Sequence, residues 1–320
     1  MSAAMSALEL GLPAPAPEAG LPQQVTIWEM APRDGLQAEA QQISVDTKID
    51  LVRRLAAAGM PVIEAGSFVR PDRVPPMAGS EDVLLGVRDV AARTPVLVPN
   101  AKGFERAVAA GAQEIAVFLS VTESFSSANL SVDRGTAEAR AMEVVREARA
   151  TGLPVRGYLS MVFGDPWEGP VATGEVVRLA SEMVEWGVDE LSLGDTIGVA
   201  TPGLVKETLA ALTAAGIPID MLGLHMHDTY GQALANVYAG LQSGVRIFDA
   251  SVAGVGGCPF AKSATGNLAT EDLVWMLNGL WIKTGIDLTA LLQISPWLSS
   301  ALDRPITSRV AIAFLGEDAK

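Results

Sequence analysis

Between Val25 and Gly254, short β-branched apolar runs alternate with Ala-, Leu- and Glu-rich segments whose apolar positions recur at helical spacing. Eight runs read as strands: Val25 to Met30, Pro61 to Ser67, Pro95 to Asn100, Glu114 to Val121, Pro154 to Phe163, Glu190 to Thr196, Met221 to Asp228 and Ile247 to Gly254. The spacing predicts helices over Asp46 to Ala58, Ser80 to Arg93, Ala101 to Ala110, Thr136 to Ala150, Thr173 to Trp186, Thr201 to Ala215, Tyr230 to Ser243 and Thr270 to Thr284. Gly59, Gly111, Gly152 and Gly216 each stand where a helix must stop and the chain turn back into the sheet. Eight such pairs predict an α/β protein whose parallel strands close into a (β/α)8 barrel, a TIM barrel, with a C-terminal helical extension. The expected organisation is a loose tail over 1–22, the barrel over 23–286 and the extension over 287–320, helical around Leu288 to Leu302.

In a barrel of this kind the chemistry gathers at the carboxyl ends of the strands. The first strand runs into Arg33-Asp34-Gly35-Leu36-Gln37 and the second carries Glu64. The sixth ends in Asp195-Thr196, the seventh holds His225 and His227, and the eighth leads into Gly254-Val255-Gly256-Gly257-Cys258-Pro259. Residues two apart on a strand share a face, so His225 and His227 project the same way and can share a metal. Asp34, His225 and His227 together make a carboxylate and imidazole set suited to Mg²⁺, Mn²⁺ or another divalent cation, with Asn267 as a further neutral oxygen.

Other residues have two readings each. Asp34 before Gly35 also shapes turns. Glu64, a carboxylate inside an apolar strand, must be paired, metal-bound or raised in pKa. Asp195 either acts on a ligand or caps a short helix. Arg33 is either a surface ion-pair partner or an inward fork for a carbonyl or carboxylate. Cys258, between glycines and a proline, is either a small buried residue or a thiol carried on a hinged lid.

Composition narrows the classes. A net charge of −14 argues against nucleic acid or an anionic membrane as partner. Mean hydropathy is +0.29, yet no apolar run approaches the ~18 residues of a membrane span. One cysteine closes no disulfide within the chain, and the first 22 residues lack the basic start of a secretory signal, so the cytoplasm is the expected location.

Several long motifs then point to a family. Arg33 to Gln37, Glu64 to Val69, Ser192 to Gly198, His225 to Asn236, and Val252 to Pro259 with Gly266 to Asp272 are similar to 3-hydroxy-3-methylglutaryl-CoA lyase, and the resemblance runs from about Val25 to Asp287. Arg33-Asp34-Gly35 and the paired histidines also fit related metal-dependent barrels such as isopropylmalate and homocitrate synthases; the Cys258 loop and Asp228 to Asn236 single out the lyase. The resemblance implies that Asp34, His225, His227 and Asn267 bind Mg²⁺ or Mn²⁺. It also implies that Arg33, Glu64, Asp195 and Cys258 act on substrate. Gln37, Ser67, Lys102 and Thr196, near the same strand ends, are expected to touch the acyl-CoA substrate, and a homodimer is implied. Arg70, Arg73, Lys102 and Lys262 lie on the correct side for CoA phosphates. The implied reaction is retro-Claisen cleavage to acetyl-CoA and acetoacetate, with citramalyl-CoA or a longer 3-hydroxyglutaryl-CoA as alternative substrates. A barrel that had lost its chemistry would be expected to lack one of these groups. An aldolase acting on free 2-oxo acids would have little use for the thiol loop.

Overall fold

The computed structural model describes residues 6–39, 41–257 and 266–315. Nine parallel strand segments form one sheet: β1 (Thr26–Glu29), β2 (Val62–Ile63), β3 (Gly66–Ser67), β4 (Val96–Leu97), β5 (Ile115–Ser120), β6 (Val155–Ser160), β7 (Glu190–Asp195), β8 (Leu222–Met226) and β9 (Ile247–Ala250). Their order is β2-β1-β9-β8-β7-β6-β5-β4-β3. β2 and β3 are successive pieces of one run parted at Glu64-Ala65, and that run bonds to both sides: Glu64 N–H donates to Glu29 O at 3.0 Å, Ala65 N–H to Pro95 O at 2.9 Å. The ends of the order therefore meet, and the sheet is the eight-stranded barrel that the alternating pattern predicts.

The helices are α1 (Val45–Ala57), α2 (Ser80–Gly86), α3 (Ala101–Ala109), α4 (Glu123–Leu130), α5 (Arg134–Thr151), α6 (Thr173–Trp186), α7 (Pro202–Ala214), α8 (Ala233–Gln242), α9 (Thr270–Gly279), α10 (Leu288–Leu302) and α11 (Arg309–Leu315). Ser44, Asn100, Asp133 and Asp287 cap α1, α3, α5 and α10 by accepting first-turn N–H groups. Gly59, Gly111, Gly152 and Gly216 all sit at φ between +77° and +92°, which ends each preceding helix without steric cost. Two expectations need correction. α2 stops at Gly86 rather than Arg93, at a glycine of low helix propensity whose missing Cβ lets the Ile49 side chain of α1 pack close. α4 went unread because its Ser-rich sequence has weak helical periodicity.

Strand ends also differ from the apolar runs. β6 stops at Ser160 because Met161 adopts φ +59°, and β9 stops at Ala250 ahead of a turn with Ala253 at φ +60°. Beyond the barrel, α10 buries Leu288, Leu291, Leu292 and Leu298. Residues 6–22 form no long element, and Ala16 N–H reaches Gly279 O at 2.8 Å. Among the described residues no helix is long and apolar enough to cross a membrane.

Two buried carboxyls join β1, the turn after β9, α9 and α10. Glu29 Oε1 accepts Ala31 N–H at 3.0 Å and Val252 N–H at 2.9 Å, while Oε2 accepts the Thr270 hydroxyl at 2.7 Å. Glu271 accepts Ala253 N–H at 2.9 Å and the Ser295 hydroxyl. Burial pushes Glu29 up to about 8 and Glu271 to about 7, against the pull of these bonds. Each therefore holds its proton more tightly folded than unfolded, so its stabilisation is full below about pH 4.5 and is lost as the pH rises through 7 to 8. The unfolding free energy is expected to fall between pH 5 and pH 7 by about 1.4 kcal/mol per pH unit for each group, and to level off above pH 8. Glu29→Gln, isosteric and uncharged, should flatten this slope in urea titrations; a variant with the wild-type slope would refute the assignment.

Candidate active site

The mouth of the barrel gathers its polar groups from β1, β8 and β9. After β1 the chain makes one wide helical turn over Ala31–Gly35, in which Gly35 N–H reaches back to Met30 O at 3.0 Å. Such π-type turns recur at functional sites, and this one aims Arg33 and Asp34 into the mouth. β8 alternates, with Leu224 and Met226 buried in the core outside the sheet and His225 facing in. His227 follows the last strand residue and pairs with Asn267 in an antiparallel bridge.

His225 Nε2 and His227 Nε2 lie 3.2 Å apart, and Asp34 Oδ2 is 3.9 Å from His225 Nε2. One ligand atom from each of these three residues falls within 4.8 Å of the others. Two nitrogens ~2.1 Å from one cation, at roughly a right angle, would have about this separation. Asn267 donates Nδ2–H to Asp34 Oδ2 at 2.9 Å and to Val255 O at 3.1 Å, and its buried Oδ1 has no hydrogen-bond partner among the described residues. Buried polar oxygens are rarely left bare, so a neutral oxygen, a carboxylate and two imidazoles around one point fit a divalent cation.

Burial opposes the Asp34 charge, but Arg33, both histidines and the Asn267 bond outweigh it and hold the carboxyl at about 2. Burial and the charge of His225 lower His227 to about 4, so its imidazole is neutral and free to ligate at neutral pH. On His225 burial is outweighed by the Asp249 bond and the Asp34 charge, which raise its pKa.

Arg33 is the second organising group. Its Nε donates to Glu64 Oε2 at 2.5 Å, its Nη1 to Asp34 Oδ1 at 2.9 Å, and its guanidinium lies 5.3 Å from the Tyr158 ring centre. Burial lifts the Glu64 carboxyl above its ordinary range in spite of Arg33. Its Oε1 is buried and has no partner among the described residues.

The remaining expected residues fall into different settings. Asp195 holds the following turn: its Oδ1 accepts Val199 N–H at 2.8 Å and Ala200 N–H at 3.1 Å, and burial raises it to about 6. Thr196 Oγ1 accepts Met161 N–H at 2.8 Å. Gln37 Oε1 and Ser67 Oγ are buried without partners among the described residues, as groups awaiting a ligand would be. Lys102 is exposed on the first turn of α3, and Arg70 pairs with Asp72 at 3.0 Å. Cys258 and Lys262 lie outside the described residues.

Two groups escaped sequence reading. Asp249 in β9 takes Arg156 Nη2–H on Oδ1 at 2.7 Å, the Ser192 hydroxyl on Oδ2 at 2.8 Å, and His225 Nδ1 at 3.2 Å. Arg156, 1% exposed, also pairs with Glu190 at 2.9 Å and lies 3.8 Å from the Trp28 ring centre. The signal was present, since both are charged residues inside apolar strand runs, the same anomaly that marks Glu64. Asp249 Oδ2 is placed to accept an Nδ1 proton from His225, the tautomer that would leave Nε2 bare toward the candidate cation position. Asp249→Asn should weaken Mn²⁺ binding roughly 10- to 100-fold by calorimetric titration while the far-ultraviolet spectrum stays native. Unchanged affinity would remove Asp249 from the site.

The HMGL-like profile matches residues 24–297. The chain belongs to the HMGL-like family. A Mus musculus protein named hydroxymethylglutaryl-CoA lyase, mitochondrial, is 50% identical over 92% of this chain and 90% of its own length. Against the Arabidopsis thaliana protein of the same name identity is 48%, and the chain spans 63% of that relative. A Pseudomonas aeruginosa relative, 47% identical over 93% of this chain and 99% of its own, is named 3-hydroxy-3-isohexenylglutaryl-CoA/hydroxy-methylglutaryl-CoA lyase. The crystal structure of a Pseudomonas aeruginosa hydroxymethylglutaryl-CoA lyase superposes with a TM-score of 0.90 at 46% identity, covering 93% of this chain and 99% of that one. An Acinetobacter baumannii HMG-CoA lyase in complex with coenzyme A and 3-methylmalate gives 0.88 at 36% identity, over 95% and 99%. In this HMGL-like chain the residues around the cation position come from β1, β8 and the segment before α9, so the barrel must close before the site exists.

Proposed function

We propose that this protein is a divalent-metal-dependent carbon–carbon lyase that cleaves 3-hydroxy-3-methylglutaryl-CoA to acetyl-CoA and acetoacetate. The observation that carries this reading is the Asp34, His225 and His227 cluster beside the partnerless Asn267 Oδ1, at the mouth of a barrel whose relatives bear that name. Mg²⁺ or Mn²⁺ held by those four residues would supply Lewis acidity toward the tertiary hydroxyl and lower its pKa.

The chain's own groups do the rest. A base takes the hydroxyl proton, the bond between C2 and C3 breaks, and its electron pair passes onto the thioester as an enolate. Arg33, anchored by Glu64 and Asp34, faces that developing charge, and the described residues leave its Nη2 without a hydrogen bond. The Cys258 thiol then protonates the enolate carbon to give acetyl-CoA. Glu64 and Asp195, whose carboxyls burial raises, are assigned to proton transfer. Gln37, Ser67, Thr196 and Lys102 are assigned to the acyl and CoA portions.

The reading includes a cytoplasmic homodimer, with the helices after Asp287 at the contact. The alternative substrate is a longer branched 3-hydroxyglutaryl thioester of the kind in the Pseudomonas aeruginosa relative's name, and the same assay separates the two. The test is acetyl-CoA release from a panel of 3-hydroxyacyl-CoA esters with Mg²⁺ or Mn²⁺, repeated after chelation and with the matching free acids. Cleavage confined to thioesters and lost on chelation is the expected result. No release from any ester would overturn the proposal.

A further inference from the structure

Beside Tyr158, at the ends of the neighbouring strands, the barrel carries an apolar cluster. Phe118, Phe125, Met161 and Ile197, from β5, α4 and the ends of β6 and β7, form a small cluster of their own. Phe118 also packs with the residues inside the barrel and lies in register with Tyr158, the ring beneath the Arg33 guanidinium. One side chain thus separates this cluster from the groups that would carry the chemistry.

The cluster has a backing and a face. Phe125 and Met161 are buried, at 4% and 0% exposure, whereas Phe118 and Ile197 are half-buried. The Phe118 and Phe125 rings meet edge to face, with centres 6.3 Å apart. The backing is braced from three sides. Met161 sits at φ +59° with its N–H held by Thr196 Oγ1, the Thr122 hydroxyl donates to Asp165 at 2.6 Å, and Ser124 N–H donates to Glu168 at 2.6 Å. A non-glycine residue keeps such a backbone only where its surroundings over-determine it, and this strain falls at the barrel mouth.

A braced apolar cluster one side chain away from the Arg33 guanidinium suits a ligand that is charged at one end and carries a small hydrocarbon branch. We infer that Phe118 and Ile197 meet the substituent on C3 of the acyl group and restrict it to methyl size. The inference rests on the lyase reading and names the feature of the substrate that this site selects. A longer branch would have to displace a ring already backed by Phe125, and close-packed interiors resist such overpacking.

The experiment compares kcat/KM for 3-hydroxy-3-methylglutaryl-CoA and its 3-butyl homologue in the wild type, Phe118→Ala, Phe118→Leu and Ile197→Ala. One methylene against a fitted wall changes specificity by roughly 10-fold or more. The butyl-to-methyl ratio is therefore expected to rise at least about 10-fold in Phe118→Ala and at least about 3-fold in Ile197→Ala, with Mn²⁺ affinity unchanged. A purely structural role would lower both rates together and leave the ratio alone. Should Phe118→Ala fail to fold, Phe118→Leu and Ile197→Ala decide. A ratio within threefold of wild type in every folded variant overturns the inference while the lyase reading stands. Wild-type protein that cleaves neither ester overturns both.

Discussion

Asp34→Asn should abolish detectable turnover and weaken Mg²⁺ or Mn²⁺ binding by well over the roughly 10- to 100-fold that loss of an outer partner costs. Asp34 is the one anionic member of its cluster with His225 and His227, and its pKa of about 2 keeps it charged throughout the working range. Asparagine has nearly the same size, so the change removes charge rather than volume. It also faces the Asn267 amide with a second amide in place of a carboxylate, and the hydrogen bond that positions Asn267 weakens. Calorimetric titration with Mn²⁺ and a turnover assay check both halves. Cation affinity within threefold of wild type would show that the cluster is not the metal site.

Arg33→Gln is expected to lower kcat by about 10²- to 10³-fold, the loss typical of removing a donor aimed at developing negative charge, with a smaller change in KM. The same substitution carries a stability cost. Glu64 is fully buried and Asp34 stands on the other side of the guanidinium, so removing Arg33 leaves a buried carboxyl without its counter-charge. That cost is about 3 to 5 kcal/mol when the orphaned group stays charged, and less when Glu64 takes up a proton. Urea unfolding at pH 6 and pH 8 separates the cases, because a protonating Glu64 makes the variant relatively more stable at the lower pH. Arg33→Lys restores charge but not the fork that grips Glu64 and Asp34 together, and should recover only part of kcat. A kcat within tenfold of wild type in Arg33→Gln would exclude Arg33 from enolate stabilisation.

Much of the site follows from spacing along single strands. His225 and His227 are two apart, and that interval turns both to the same side although the second lies one residue past the end of β8. Glu64 is conspicuous because a carboxylate in an apolar run needs a partner, though its partner, Arg33, lies 31 residues away. Asp249 and Arg156 raise the same question and were passed over, since their answer lies 93 residues apart across the barrel interior. Asp195 and Thr196 stand at a strand tip as the pattern predicts, and only the folded turn shows that their oxygens also accept backbone N–H groups from Ala200, Val199 and Met161.

Alternation of apolar runs with helical periodicity was enough for the barrel, because each βα unit buries its own stripe locally and eight in succession have few ways to pack. Closure decided the rest. Whether Asp34 reaches the histidines, whether Arg156 finds Asp249, and which wall of the mouth is apolar depend on segments far apart in the chain. Those contacts are set by barrel stagger and by strained turns at Met161 and Ala253, which leave no periodic trace in the residues themselves.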